Sequence, residues 1–509
     1  MMEHAPALAI AIPLFAAFAV SLIGKIGKRI RNMWVILSLI LTELLVIYLN
    51  YEILTNGIHT YALGAALPSL ISPGGFPVRI ILEIDAVNAL VSFIVISITL
   101  AAVVYCWRFM QAISKDREHI DRFYSLLLLF TAGMIGMSFT GDFFTLFVFL
   151  ELTSVSSAAL VSFFRDGESF EAAFKYMIIS AIGALFLLLG IGILYSQYGL
   201  LNMAAIAKEI MLHMSFLDKV SLSLIVSAIL LKIGPVPLHM WKVDIYQKLP
   251  APLVAVCITS SLVGIYVLSR ILFSVFFVMG SLSGWIIIIL GVLSIFVGVT
   301  MSLLQKNLKR MMAYAAIAEI GYVMLGIGTG LAAASKDFGF IALSGGILHT
   351  LNDALNMGLL FLITGAIFYA TKKTDIRDLG GLAHRSASLS ALFIIGMLAV
   401  SGLPPFNGFV SKLMIYESVF CLNPLLAVVG ILGSILMLAI FAKVFVSVFL
   451  GTPYRRKFKK MPASMMAVMW IIALFILFLG MFPEMAINNL VTPAADALIN
   501  HEAYMGGVI

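Results

Sequence analysis

Apolar residues in this chain neither alternate with polar ones at the period of a strand nor recur on one face at the period of a surface helix. They run on for the width of a bilayer, stop at a short polar break, and start again. A crossing needs about 20 such residues, and on that measure the pattern predicts about 14 spans. The spans are centred near residues 15, 43, 96, 130, 152, 183, 228, 262, 293, 322, 353, 398 (continuing to 420), 437 and 475. The expected fold is an all-α membrane protein. Outside the spans lie a loop over residues 55–78 with Pro68, Pro73, Gly74, Gly75 and Pro77 as turn residues, and a short amphipathic helix over residues 200–214 at the outer surface.

The breaks alternate in charge. Basic residues gather after the odd-numbered spans: Lys25, Lys28, Arg29 and Arg31 after the first, Lys242 and Lys248 after the seventh, Lys306, Lys309 and Arg310 after the ninth, and Arg455, Arg456, Lys457, Lys459 and Lys460 after the thirteenth. The positive-inside rule then places these loops in the cytoplasm and both termini on the outer side of the cell membrane. Composition fits the pattern. The 509 residues are 62% hydrophobic and 11% charged, where soluble domains carry about 25% charged residues. The net charge of +7 is therefore a topology signal and no sign of nucleic-acid binding. Glu3 and His4 precede the first apolar run with no basic segment before it, so that run is expected to stay as a span. Cys106, Cys257 and Cys421 lie far apart, and no Gly-rich phosphate loop is visible. No metal or cofactor is expected in this chain, and any redox or ATP chemistry belongs to another.

The informative residues are the polar ones inside the spans. Lys232 interrupts the apolar segment 220–238, just before Pro235 and Pro237, with His239 and Trp241 following. An ammonium at the bilayer centre costs about 3 kcal/mol on insertion scales unless it faces protein or water. The prolines remove backbone donors and break the helix, which a membrane tolerates only where the freed carbonyls are buried or line a cavity. A lysine beside such a break is the pattern of an ion-handling site; a lysine snorkelling to the surface is the competing reading. Lys412 repeats the arrangement beside Pro404 and Pro405, with Asn407 and Gly408 extending the irregular stretch, but it follows its break where Lys232 precedes its own. The pair points to two inverted repeats, spans four to eight and nine to thirteen, and to a division of the chain at 1–122, 123–276, 277–451 and 452–509.

Glu151 follows Asp142 by about nine residues, which at about 1.5 Å per residue puts it near mid-membrane. Lys232 or Lys175 is its expected partner, and Asp142 reads as a helix N-cap. His349, Asn352, Asp353 and Asn356 recur at the spacing that shares one helix face, a polar stripe on an otherwise apolar span. His349 exchanges protons near neutral pH, and Asp353 one turn away supports its charged form; a static hydrogen-bond network is the alternative. Glu319 is a second acid well inside the bilayer with no partner legible in the sequence. Lys443, near a span end, reads as a snorkelling lysine.

Together these stretches resemble a known family. FTLFVFLEL around Glu151, LLKIGPVPLHMW around Lys232, QKNLKRMMAYAAIAEIGYV, His349 followed by LLFLITGAI, DLGGLA at 378–383 and GLPPFNGFVSKL around Lys412 are similar to the antiporter-like subunits shared by respiratory complex I, Mrp-type multisubunit sodium/proton antiporters and membrane-bound hydrogenases. The resemblance covers residues 123–415, and the span count extends it to nearly the whole chain. It implies two inverted five-helix bundles, broken spans seven and twelve, and a polar axis across the membrane plane. On it, Glu151 and Lys232 form a pair, a central lysine or histidine relays protons, and Lys412 is the terminal relay. The chain departs from the family pattern in the middle. Leu262, beside Ser260 and Ser261, stands where span eight usually has a lysine; in span eleven Asp353 replaces a second histidine and Met357 a lysine. A relay from Lys232 to Lys412 then needs His349, Asp353 and water, with Glu319.

The expected function is a proton- or Na⁺/H⁺-translocating membrane subunit of a multisubunit energy-converting complex. Its partners would be other membrane subunits, lipid and, in a hydrogenase or reductase, a peripheral redox module. Lys175, His239, Glu319, Asn352 and Asn356 are auxiliary candidates beside Glu151, Lys232, His349, Asp353 and Lys412. Two rivals stand: a scaffold subunit that has lost transport, favoured by the missing central lysines, and a stand-alone transporter of a small solute, which would act without partner chains.

Overall fold

The computed structural model describes residues 2–63, 80–113, 120–451 and 458–508. Helices α1 (Ala5–Ile26) and α2 (Lys28–Asn56) lead into a small antiparallel hairpin, β1 (His59–Ala62) and β2 (Ile81–Ile84), with His59 opposite Ile84. Then come α3 (Ala86–Ile113), α4 (Ile120–Phe139), α5 (Phe143–Val161), α6 (Gly167–Tyr198), the short α7 (Met203–Leu212), α8 (Phe216–Ile233), α9 (Met240–Lys248) and α10 (Ala251–Arg270). The second half runs through α11 (Gly280–Leu304), α12 (Leu308–Ala332), α13 (Asp337–Thr371), α14 (Ala387–Val400), α15 (Asn407–Leu422) and α16 (Pro424–Val444). It ends in α17 (Ala463–Met481), α18 (Pro483–Ala486), α19 (Thr492–Ile499) and α20 (His501–Val508). The turn residues Pro68, Pro73, Gly74, Gly75 and Pro77, and the basic Arg455, Arg456 and Lys457, lie outside the described residues.

Among the described residues, 12 helical segments are long and apolar enough to cross a membrane. Two more crossings are made in pieces, by α8 with α9 and by α14 with α15, and every centre read from the hydropathy pattern falls in one of these helices. The breaks have local causes. Gly234 and Gly402 take left-handed backbone, with φ of 73° and 71°, and prolines at 235, 237, 404 and 405 supply no amide donor to continue the helix. Each broken crossing sits fourth in a set of five, α4 to α10 and α11 to α16. An odd number of crossings per set means the second enters the membrane from the opposite side to the first, which makes the repeats inverted.

Burial sorts the helices. The apolar windows of α12 and α13 are 94% and 89% buried, whereas those of α1, α6 and α17 are only 33% buried. Peripheral helices turn Phe15, Phe18, Leu185 and Leu474 outward, as lipid allows, because hydrocarbon offers no penalty to an exposed leucine. The polar side chains collect on the inner helices. The amphipathic helix expected at 200–214 is α7, capped by Asn202, but Met203, Ile206 and Ile210 are buried against the protein.

Candidate functional site

The site is a line of buried polar side chains that begins at α5 and ends at α15. Lys232 is in the last turn of α8 and 7% exposed. Its Nζ donates to Ser154 Oγ of α5 at 2.9 Å and to Tyr176 Oη of α6 at 2.8 Å. The lysine does not reach the surface. Nor does it bond directly to Glu151, as the sequence leads one to expect. Ser154, one turn along α5, takes that place, while Glu151 is half-buried, within electrostatic range of Lys232, and its Oε1 has no hydrogen-bond partner among the described residues. The reason is helix phase: Glu151 shares the face of α5 that turns Phe144, Val148 and Val155 outward. Asp142 caps α5 as expected, accepting from the Thr145 amide at 2.7 Å. Lys175 is exposed and held by Glu171 at 2.6 Å, with Asp244 at 4.0 Å, so it is not placed to serve Glu151.

Lys242 corrects the sequence reading. The hydropathy pattern puts it in a basic loop after span seven, yet it is fully buried on α9. Its Nζ donates to the Ile233 carbonyl at 3.1 Å and to Ser261 Oγ of α10 at 2.8 Å. That carbonyl is one the helix break sets free. Ser261 adjoins Leu262, which is itself buried and apolar, so an ammonium stands beside the position where α10 lacks one. His239, also buried, opens α9 with its ring against Tyr314 of α12.

The stripe on α13 faces the second broken helix, and all four of its residues are fully buried. Asn352 donates to the Asn407 carbonyl and to Ser411 Oγ, both at 2.9 Å, and accepts from Asn407 Nδ2 at 2.9 Å. It ties the first turn of α15 to α13. His349 Nδ1 meets Ser411 Oγ at 3.0 Å, and its Nε2 lies 3.2 Å from Glu319 Oε2. Lys412 Nζ donates to Glu319 Oε1 at 3.0 Å, to the Val400 carbonyl at 2.7 Å and to Ser434 Oγ at 3.3 Å, with the Tyr322 ring 4.0 Å away. Glu319, partnerless in the sequence, thus holds both His349 and Lys412. Among the described residues, Asp353 and Asn356 have no hydrogen-bond partner on any side-chain oxygen or nitrogen, although Asp353 is within electrostatic range of Lys242, Glu319 and Lys412. Met357 is buried and apolar.

Chemically, the line alternates amines, carboxylates, an imidazole and hydroxyls across helices from both repeats. Such groups can pass a proton sideways through the membrane plane, and each ammonium already has a neutral or anionic acceptor beside it.

Known proteins place this geometry. Residues 140–437 match the family described as NADH:quinone oxidoreductase/Mrp antiporter, TM. NADH-quinone oxidoreductase subunit N of Desulforudis audaxviator (strain MP104C) is 32% identical over 523 residues, covering 96% of this chain and 98% of that protein. A chain of the Mrp complex from Dietzia sp. DQ12-45-1b superposes with a TM-score of 0.87 at 22% identity, covering 100% of this chain and 99% of that one. A chain of the membrane-bound sulfane sulfur reductase, an archaeal respiratory membrane complex, does so with a TM-score of 0.85 at 27% identity and 99% coverage of both. With its two broken crossings, its buried line of charges and a family match over more than half its length, this chain belongs to the NADH:quinone oxidoreductase/Mrp antiporter transmembrane family.

Proposed function

We propose that this chain is a proton- or Na⁺/H⁺-translocating membrane subunit of a multisubunit energy-converting complex, and that ions move along the line from Glu151 and Lys232 through His349 and Asp353 to Glu319 and Lys412. The observation that carries the reading is the pair of lysines at the two helix breaks, both buried and both held by groups that can exchange a proton. Membranes exclude such charges unless they serve transport or pair inside a bundle. A relative named as a quinone oxidoreductase subunit and a similar chain in a sulfane sulfur reductase complex support partners among other membrane subunits; a peripheral redox module in the oxidoreductase type is part of the same proposal. The alternation of basic loops supports a cytoplasmic membrane with both termini outside.

In this scheme a partner's motion shifts Glu151 relative to Lys232. The ammonium loses a stabilising neighbour, gives up its proton toward the second repeat, and is reprotonated from one side of the membrane while Lys412 discharges to the other. The test is ion translocation by inverted vesicles that hold the whole complex, native against Lys232→Ala. Pumping should fall at least tenfold while the partner's redox activity stays partly intact. Unchanged pumping would mean that this subunit's axis is idle and that the chain is a scaffold.

A further inference from the structure

Lys242 has no place in the line as the sequence suggests it, yet the two broken crossings treat it and Lys412 alike. Gly234 and Gly402, with left-handed φ of 73° and 71°, each precede a proline three positions on. Beyond each proline the first helical turns read Lys-x-x-Ile-Tyr: Lys242 with Ile245 and Tyr246, Lys412 with Ile415 and Tyr416. The side chains then make the same move. Lys412 Nζ reaches back to the carbonyl of Val400, the last residue of α14, at 2.7 Å. Lys242 Nζ reaches back to the carbonyl of Ile233, the last residue of α8, at 3.1 Å.

We infer that Lys242 is the first repeat's counterpart of Lys412 and carries a proton in the middle of the axis; the inference rests on the translocation reading above. Lys242 and Lys412 both lie within electrostatic range of Asp353, whose two oxygens have no hydrogen-bond partner among the described residues. Asp353 is thus the acid common to the two repeats' lysines. The N–H bond of the Lys242 ammonium breaks, the proton passes toward an Asp353 oxygen, and the neutral amine that remains takes up the proton arriving from Lys232. The rival account is a fixed cation that only satisfies the Ile233 carbonyl. One carbonyl needs one donor, which a hydroxyl or amide supplies without taking an ammonium out of water. A lysine is the expensive solution unless its charge is used.

The experiment measures ion translocation and complex assembly in inverted vesicles for Lys242→Arg, Lys242→Met, Lys232→Ala and Lys412→Ala. Arginine keeps the charge and the donors but does not release its proton. With Lys242→Arg assembled, translocation should fall at least tenfold; a native rate overturns the inference, since a fixed cation then suffices. Should the arginine variant not assemble, Lys242→Met decides: tenfold loss in an assembled complex supports the relay, and native translocation overturns it. If neither assembles, Lys242 is a structural cation and the inference falls. If Lys232→Ala and Lys412→Ala also pump normally, it is the translocation reading itself that fails; if they lose pumping and the Lys242 variants do not, only the relay at Lys242 does.

Discussion

Glu319 accepts from Lys412 on α15 at 3.0 Å and lies 3.2 Å from His349 on α13, with no exposed surface on any of the three beyond 1%. Such a triad is costly to assemble and more costly to break. Removing one partner of a buried ion pair leaves an uncompensated charge, at about 3–5 kcal/mol, while replacing both by apolar groups is often neutral. Glu319→Gln should therefore lower the thermal denaturation midpoint of the solubilised complex by several degrees. Adding Lys412→Met to the same chain should recover much of that loss. A double variant no more stable than the single one would show that the ammonium is not the source of the instability. At this scale the sequence was half legible. A glutamate that deep in an apolar run announces its burial, but its partners come from helices far along the chain, and no local spacing signals them. Glu151 shows the opposite failure. The sequence pairs it with Lys232 or Lys175, yet Ser154 on the same helix takes the hydrogen bond from Lys232, while the half-buried Glu151 sits on the side of α5 that carries Phe144, Val148 and Val155.

Helices α11 and α12 meet along glycines that recur every seventh residue. A Cβ on Gly291 would stand 2.8 Å from the Gly321 carbonyl oxygen, and one on Gly298 2.7 Å from the Ala318 amide nitrogen. Backbone touches backbone here, which is how membrane helices gain dispersion energy without a hydrophobic drive between them. Gly291→Ala should push the helices apart and cost about 1–3 kcal/mol, as overpacking does. A Cβ on Gly192 of α6 would meet nothing beyond its own helix backbone within 4 Å among the described residues, so Gly192→Ala should change stability by less than about 1 kcal/mol, in the favourable direction through helix propensity. Denaturation of the two purified variants side by side checks the contrast; equal losses would mean that the seam is loose. Among the elements, the broken helices were legible because Gly and Pro act locally. Helix α9 was not. Its residues Lys242 to Lys248 look like a solvated loop, and only tertiary packing shows that a polar helix fills the gap behind a break.

Across the whole molecule, hydropathy fixed the order of crossings because bilayer thickness is a single length applied at every span. It carried no information on how the chain's two ends close the structure. That closure lies at the hairpin. Arg270, at the end of α10, pairs with Asp85 and stacks over Tyr504 of α20, 4.7 Å from the ring centre. Asp85 in turn caps the start of α3 through the amides of Val87 and Asn88, both at 3.1 Å. Glu83 on β2 is buried in the same cluster, beside Arg270, Asp85 and Tyr504. Burial pushes its pKa from 4.5 up to about 8; the Arg270 charge pulls it down, and Asp85 pushes it up. The native chain therefore keeps a proton on Glu83 over a range where the unfolded chain has already released it. Stability falls where the native state binds more protons than the unfolded one and pH rises. This group's penalty is absent below 4.5, grows as pH climbs to about 8, and is constant above that. Glu83→Gln removes it. Thermal denaturation of the two proteins should coincide near about pH 4 and separate progressively to about pH 8, with the glutamine variant the more stable of the two. Parallel curves over that window would place the origin of any alkaline weakening elsewhere. A divergence would show that Glu83 holds its proton in the native chain, and that deprotonating this one strand residue loosens the closure between the first three spans, the first repeat and the C-terminal helices.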